Sequence, residues 1–172
     1  MRTSTEAIVV HCTASPWGVP KDVAQITAEH VARGFSTIGY HWLIGLKGEI
    51  WQGRAPQNSV GAHVAGFNNR TVAVSYVGGL GPDGVPKDTR NALQLVSIEK
   101  KVRELHHDYP EAVILGHRDL STDLNHDGVI EKYEWIKVCP CFEAGPWAKS
   151  IGLPGGAYKE SSSHWNGTFY KI

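Results

Sequence analysis

Three side chains of this chain are suited to hold a soft divalent metal: His11, His117 and Cys139. His11 ends the apolar run Ile8-Val9-Val10, and His117 ends Val113-Ile114-Leu115-Gly116. Strand ends in an α/β fold present side chains to a shared crevice. Cys139 follows a long polar segment that returns the chain toward His117. A catalytic zinc centre needs three protein ligands and one open position, carried on elements rigid enough to keep the geometry. Two imidazoles and a thiolate make a suitable set. On spacing alone, two strand-end histidines and a buried free cysteine serve equally well as ordinary core residues.

A second constellation lies between His117 and Cys139. Asp123, Asn125, Asp127, Gly128, Val129 and Glu134 fit the calcium-loop pattern D-x-[DN]-x-[DN]-G-x5-E. In such a loop alternate oxygen side chains converge, the glycine permits a sharp turn, residue 129 offers its carbonyl, and the last glutamate closes the shell. Ile130 stands where an apolar anchor is expected. No pair of flanking helices is evident, and the competing reading is an acidic surface turn.

These groups need elements to position them. Residues 7–11 read as a short buried strand. Residues 22–33 read as a helix with Gly34 at its C-terminal cap. Residues 40–46 and 49–52 flank Lys47-Gly48 and read as a hairpin. Residues 71–77 are β-branched and read as a strand ended by Gly78-Gly79. Residues 89–107 carry Leu95, Ile98, Val102 and Leu105 at helical spacing on one face, and Pro110 follows. Residues 112–115 read as another buried strand, and 143–151 as a short helix. The tail from Gly155 is polar with interspersed Trp165, Phe169 and Tyr170, and the pattern assigns it no element. Alternating strands and helices imply one α/β domain around a mixed central sheet flanked by helices. The expected organisation is a catalytic domain over 1–153, including the loop 123–134, and a tail over 154–172.

Composition bounds the possibilities. Lysine plus arginine (17) equals aspartate plus glutamate (17), so nothing in the balance points to nucleic acid or an anionic membrane. No apolar run is long enough to span a bilayer, and the N-terminus lacks the apolar core of a signal peptide. Three cysteines cannot all pair within the chain, so this is no disulfide scaffold. Nine histidines raise the expectation of a metal site. Of these, His30, His106, His107 and His164 read as surface or helix-face residues, and His41 as packing.

Five segments then stand in an order that resembles a known family: Val10-His11-Cys12-Thr13-Ala14-Ser15, Gly39-Tyr40-His41-Trp42, Gly61-Ala62-His63-Val64, Gly116-His117-Arg118-Asp119-Leu120 and Lys137-Val138-Cys139-Pro140. The chain is similar to the type 2 N-acetylmuramoyl-L-alanine amidases, a family that includes phage lysozyme-amidases and peptidoglycan recognition proteins. The resemblance covers roughly residues 7 to 150. It implies that His11, His117 and Cys139 bind zinc, and that the reaction is hydrolysis of the amide between N-acetylmuramic acid and L-alanine in peptidoglycan. It implies further that Tyr40 is a catalytic tyrosine assisting proton transfer, that Lys137 stabilises the oxyanion, and that His63 contacts substrate in the groove. Cys141 is read as a structural thiol and Cys12 as core. Calcium is a second expected cofactor, holding the loop that delivers Lys137 and Cys139. The expected partner is peptidoglycan, with no nucleic acid and no membrane insertion, for a monomer made in the cytoplasm and acting on the cell wall in phage lysis or as a bacterial amidase. The alternative is a module that binds peptidoglycan without cutting it; members of that kind lack the last ligand, which is present here.

Overall fold

The computed structural model describes residues 1–161 and 166–172; His164 and Trp165 lie outside the described residues. Its centre is a five-stranded sheet of β1 (Ala7–Cys12), β3 (Trp42–Ile44), β4 (Ile50–Gln52), β5 (Thr71–Tyr76) and β7 (Val113–Gly116), in the order β4-β3-β5-β1-β7. All neighbours pair in parallel except β3 with β4. Every residue of β1, β5 and β7 is buried. This is why β1 and β7 read as mainly apolar runs and β5 as a β-branched one, rather than as polar–apolar alternations. Two lesser strands, β2 (Ser15–Pro16) and β6 (Gly79–Leu80), pair in parallel beside the sheet.

The helices start where the sequence caps them. The helix α1 (Val23–Ala32) is opened by Asp22, whose side chain accepts from the Gln25 N–H while the Gln25 side chain accepts from the Asp22 N–H. Asn91 and Gln94 repeat the arrangement at α2 (Ala92–Asp108). Each reciprocal pair satisfies donors that a helix start leaves unpaired. Gly34, at φ +91°, follows α1 in the left-handed region that favours glycine.

One sheet face is covered by α2 and by α3 (Ala144–Ser150). Ile8, Val10, Val72, Val74 and Ile114 meet Ile98, Val102 and Leu105 of α2 and Ala144 and Ala148 of α3. Each fully buried aliphatic side chain of this size stabilises the fold by about 1.5–3 kcal/mol. Leu95, expected on the same stripe, is exposed instead. Its place is taken by Gln94, four residues before Ile98, which is fully buried and donates through Nε2 to the Val77 carbonyl.

On the opposite face Val9, Val113 and Leu115 pack against Val64, Phe67, Leu120 and Tyr158. The tail, to which the sequence pattern assigned no element, contributes there. It forms a hairpin of β8 (Gly156–Lys159) and β9 (Thr168–Lys171), with Tyr158 buried against Phe67 and Phe169. The β3–β4 connection is wider than a two-residue turn. Gly45 donates to Glu49 and Gly48 to Gly45, with Gly48 at φ +79°.

Candidate active site

The period of two along a strand places His11 on the same face as Val9, and His117 on the same face as Leu115. Val9 pairs with Leu115 and Val10 with Gly116, so the next level outward holds the two histidines side by side. Their Nδ1 atoms are 3.2 Å apart and their rings 4.9 Å apart by centroids.

The third member arrives from a different part of the chain. His117 opens a short 3₁₀ turn, His117–Leu120, after which the chain makes its long excursion and returns. The return is pinned by the Arg118 N–H donating to the Cys139 carbonyl (2.9 Å) and by the Tyr76 hydroxyl donating to the Pro140 carbonyl (2.7 Å). The Arg118 guanidinium, buried, lies over the Trp135 ring and pairs with Glu143. Pro140 presses on the end of β7: a Cβ at Gly116 would meet its Cδ at 2.5 Å. Cys139 Sγ comes to 3.7 Å from His11 Nδ1 and accepts from the Cys12 N–H at 3.3 Å. The three donor atoms lie within 4.8 Å of one another, and among the described residues no other set of three such groups does.

The electrostatics suit a metal. Burial first, then the charge of His117, pushes His11 well below the ordinary histidine range. Burial and the Lys137 ammonium lower His117 to about 4. Both imidazoles are therefore neutral at neutral pH, with lone pairs available for coordination. Two nitrogens and one sulfur, buried on one side and open to a cleft on the other, match the donor set and coordination of a catalytic zinc.

His63, expected to contact substrate, is placed beneath His11. Its Nδ1 is 3.1 Å from His11 Nε2, and its own Nε2 is 3.4 Å from Thr71 Oγ1. If His11 coordinates through Nδ1, its proton sits on Nε2 and is donated to His63. A metal-bound histidine commonly spends its second nitrogen in this way. The Asn68 side chain accepts from the backbone N–H groups of His63 and Val64 and so fixes the segment. His63 also lines the groove, at 8% exposure.

Tyr40 stands over His11 with ring centroids 5.3 Å apart. Hairpin pairing reaches it, since its carbonyl accepts from Arg54 N–H at 2.8 Å. Burial, then the charge of Cys139, pushes its phenol above the ordinary range. His30, read as a surface or helix-face residue, lies on α1 with its face buried: its Nδ1 accepts from the Gly39 N–H and its ring lies 5.1 Å from that of Tyr40. It ties α1 to the segment that carries the tyrosine. His106 is half-buried and His107 exposed. His41 has the packing role expected of it: fully buried, it accepts from Ala73 N–H and lies 3.0 Å from the Ser59 carbonyl. Lys137 lines both parts of the cleft, beside His117. One part has a volume of about 350 Å³ with walls that include Phe35, Val64, Leu120 and Ile136. The other reaches Tyr40, His117 and Cys139.

The remaining cysteines pack against each other, with Cys12 at the edge of the cleft. Cys12 is buried in the main core, and its Sγ is 3.8 Å from that of Cys141. Cys141 Sγ lies 3.3 Å from the Gly79 carbonyl. The calcium-type loop carries no flanking α-helices, only a 3₁₀ turn at Lys132–Glu134. Asp123 and Glu134 are buried, while Asn125, Asp127 and Val129 are exposed. Two parts of the site carried no signal in the sequence. The support of His11 by His63 and the anchoring of Pro140 by Tyr76 both join residues more than fifty positions apart.

Comparison with known proteins agrees with this geometry. The family model described as N-acetylmuramoyl-L-alanine amidase matches residues 1–129, a span that includes His11, Tyr40, His63 and His117 and ends before Lys137 and Cys139. The chain is 32% identical over 149 residues to the endolysin of Enterobacteria phage K11, covering 87% of this chain and 89% of that protein. An uncharacterized protein of Haemophilus influenzae is 42% identical over 105 residues, 61% of this chain and 90% of its own length. Among solved structures, the N-acetylmuramoyl-L-alanine amidase LysC from Clostridium intestinale superposes with a TM-score of 0.66 at 24% identity, covering 87% of both chains.

Proposed function

The chain belongs to the N-acetylmuramoyl-L-alanine amidase family and is a peptidoglycan amidase; from that premise we propose that it is a zinc hydrolase that cuts between N-acetylmuramic acid and L-alanine. The observation that carries the zinc reading is the convergence of His11, His117 and Cys139 within 4.8 Å at the floor of an open cleft. Bound there, zinc supplies a Lewis acid for the amide carbonyl and lowers the pKa of a water to about 7. The residues around it supply orientation and proton handling. His63 Nδ1 accepts from His11 Nε2 and holds the His11 ring. Tyr40, kept as a phenol by its burial, donates from its hydroxyl and passes a proton to the leaving amine. Lys137 places its ammonium where negative charge develops on the carbonyl oxygen. The apolar walls of the cleft exclude water around the scissile bond.

The similarity to a phage endolysin supports a lytic role on the cell wall. The test is mass spectrometry of sacculi digested with the purified protein, alongside metal analysis. The expected products carry a new lactyl carboxyl and a new alanine N-terminus, with about one zinc per chain, as a three-ligand open site holds. Binding to sacculi without release of stem peptide would identify a recognition module instead.

A further inference from the structure

The acidic excursion between the two halves of the metal site takes no part in the chemistry above. We propose that residues 123–134 bind a calcium ion, and that the ion clamps the excursion delivering Lys137 and Cys139. The site is built of oxygen donors: the Asp123, Asn125 and Asp127 side chains, the Val129 carbonyl and the Glu134 carboxylate.

The observation that points to a cation is Asp123. Its side chain is 96% buried by residue exposure of 4%, and its Oδ1 has no hydrogen-bond partner. The other oxygen, Oδ2, accepts from the Gly128 N–H at 2.7 Å, across the loop. A buried carboxylate oxygen without a partner is costly unless a donor or a cation meets it. The nearby Glu160 carboxylate is occupied in accepting the Asp123 backbone N–H.

A second feature agrees. The Asn125 amide nitrogen stands between Asp127 Oδ2 (3.1 Å), Glu131 Oε2 (3.4 Å) and the Tyr133 hydroxyl (2.9 Å). The loop already closes end to end, because Glu134 accepts from the Leu124, Asn125 and Glu131 N–H groups. Its carboxylates are not yet within the 4.8 Å spread of the His11 set, so binding must contract the loop.

The donors select the ion. An all-oxygen set with a backbone carbonyl disfavours zinc, which takes nitrogen and sulfur. A wide, adjustable loop disfavours magnesium, which demands a tight octahedron. The consequence for the enzyme is positional. At the base of the excursion Ser121 Oγ accepts from the Ile136 N–H at 2.9 Å, immediately before Lys137. The effect on hydrolysis rests on the zinc reading above, whereas the binding itself does not.

The experiment uses terbium as the probe, with Tyr133 and Trp135 as built-in sensitisers, and thermal unfolding with added calcium. The full chain should give sensitised emission that calcium chases and equal magnesium does not. Calcium should raise the melting temperature with saturation. D123N/D127N should lose both responses and keep its zinc; the asparagine at 123 still accepts from Gly128. D127N alone, at an exposed position, decides the matter if the double variant fails to fold. C139S should lose zinc yet keep the terbium response, which separates this proposal from the zinc reading. No emission in the wild type, emission that survives the variants, or a chase by magnesium as effective as by calcium would overturn the proposal.

Discussion

The two strand ends and the returning loop reach the same point by different means. His11 and His117 are placed by a parallel ladder whose residues are all buried, so the sheet itself fixes their separation. Lys137 and Cys139 follow sixteen residues of excursion with no strand and only one 3₁₀ turn, and their position depends on individual hydrogen bonds. Two of the proposed zinc ligands thus come with the fold, and the third is added by local anchoring. Damage to the sheet should destroy the site, whereas damage to the loop should mis-set it.

The largest effect is expected at the ligands. H117A and C139S should each remove most of the zinc, measured by metal analysis, and abolish stem-peptide release, since a hydroxyl is a far poorer ligand than a thiolate. If C139S keeps its zinc while C141S loses it, the loop half of the comparison is misassigned by two residues. Lys137 comes next. K137A should lower turnover by about 10²–10³ with zinc retained, as expected for loss of an oxyanion donor. Unchanged turnover with raised KM would make it a binding residue. Y40F should likewise keep zinc and lower turnover. H63A sharpens the sheet half: it should weaken zinc by about 10–100-fold through the freed His11 ring. A change confined to KM would favour the substrate-contact role expected from sequence instead. The smallest effect is Y76F, which removes the donor to the Pro140 carbonyl. It should cost about 1 kcal/mol of stability in denaturant unfolding and loosen zinc slightly; a complete loss of zinc would show that the loop has no other anchor.

The same contrast governs what was legible in the sequence. β1 and β7 are buried on both faces, so they announce themselves as apolar runs, and His11 and His117 follow at their ends; β5 shows instead through its β-branched residues. The helices carried their caps in Asp22-x-x-Gln25 and Asn91-x-x-Gln94. The β8–β9 hairpin was not legible, because its buried members, such as Tyr158 against Phe67, pack on a distant segment rather than on a local periodic face. The burial of His30 was not legible for a related reason. Its partner is the backbone of Gly39, across a turn that gives no side-chain pattern. Gln94 displaced Leu95 from the core because a buried amide with a partner in Val77 satisfies a carbonyl that leucine leaves bare.

The contact between Gly116 and Pro140 bears on how this enzyme can be varied. The glycine ends β7 and the proline follows the cysteine, and they lie too close for any side chain at 116. Gly116 cannot gain a side chain while Pro140 stands, since a methyl group there would displace the segment that carries Cys139. Chimeras that join relatives inside residues 117–139 therefore inherit the two halves of this contact from different parents. Crossovers placed before Gly116 or after Pro140 keep the pair intact, and a recombination library built on this family should yield its active members mainly from those.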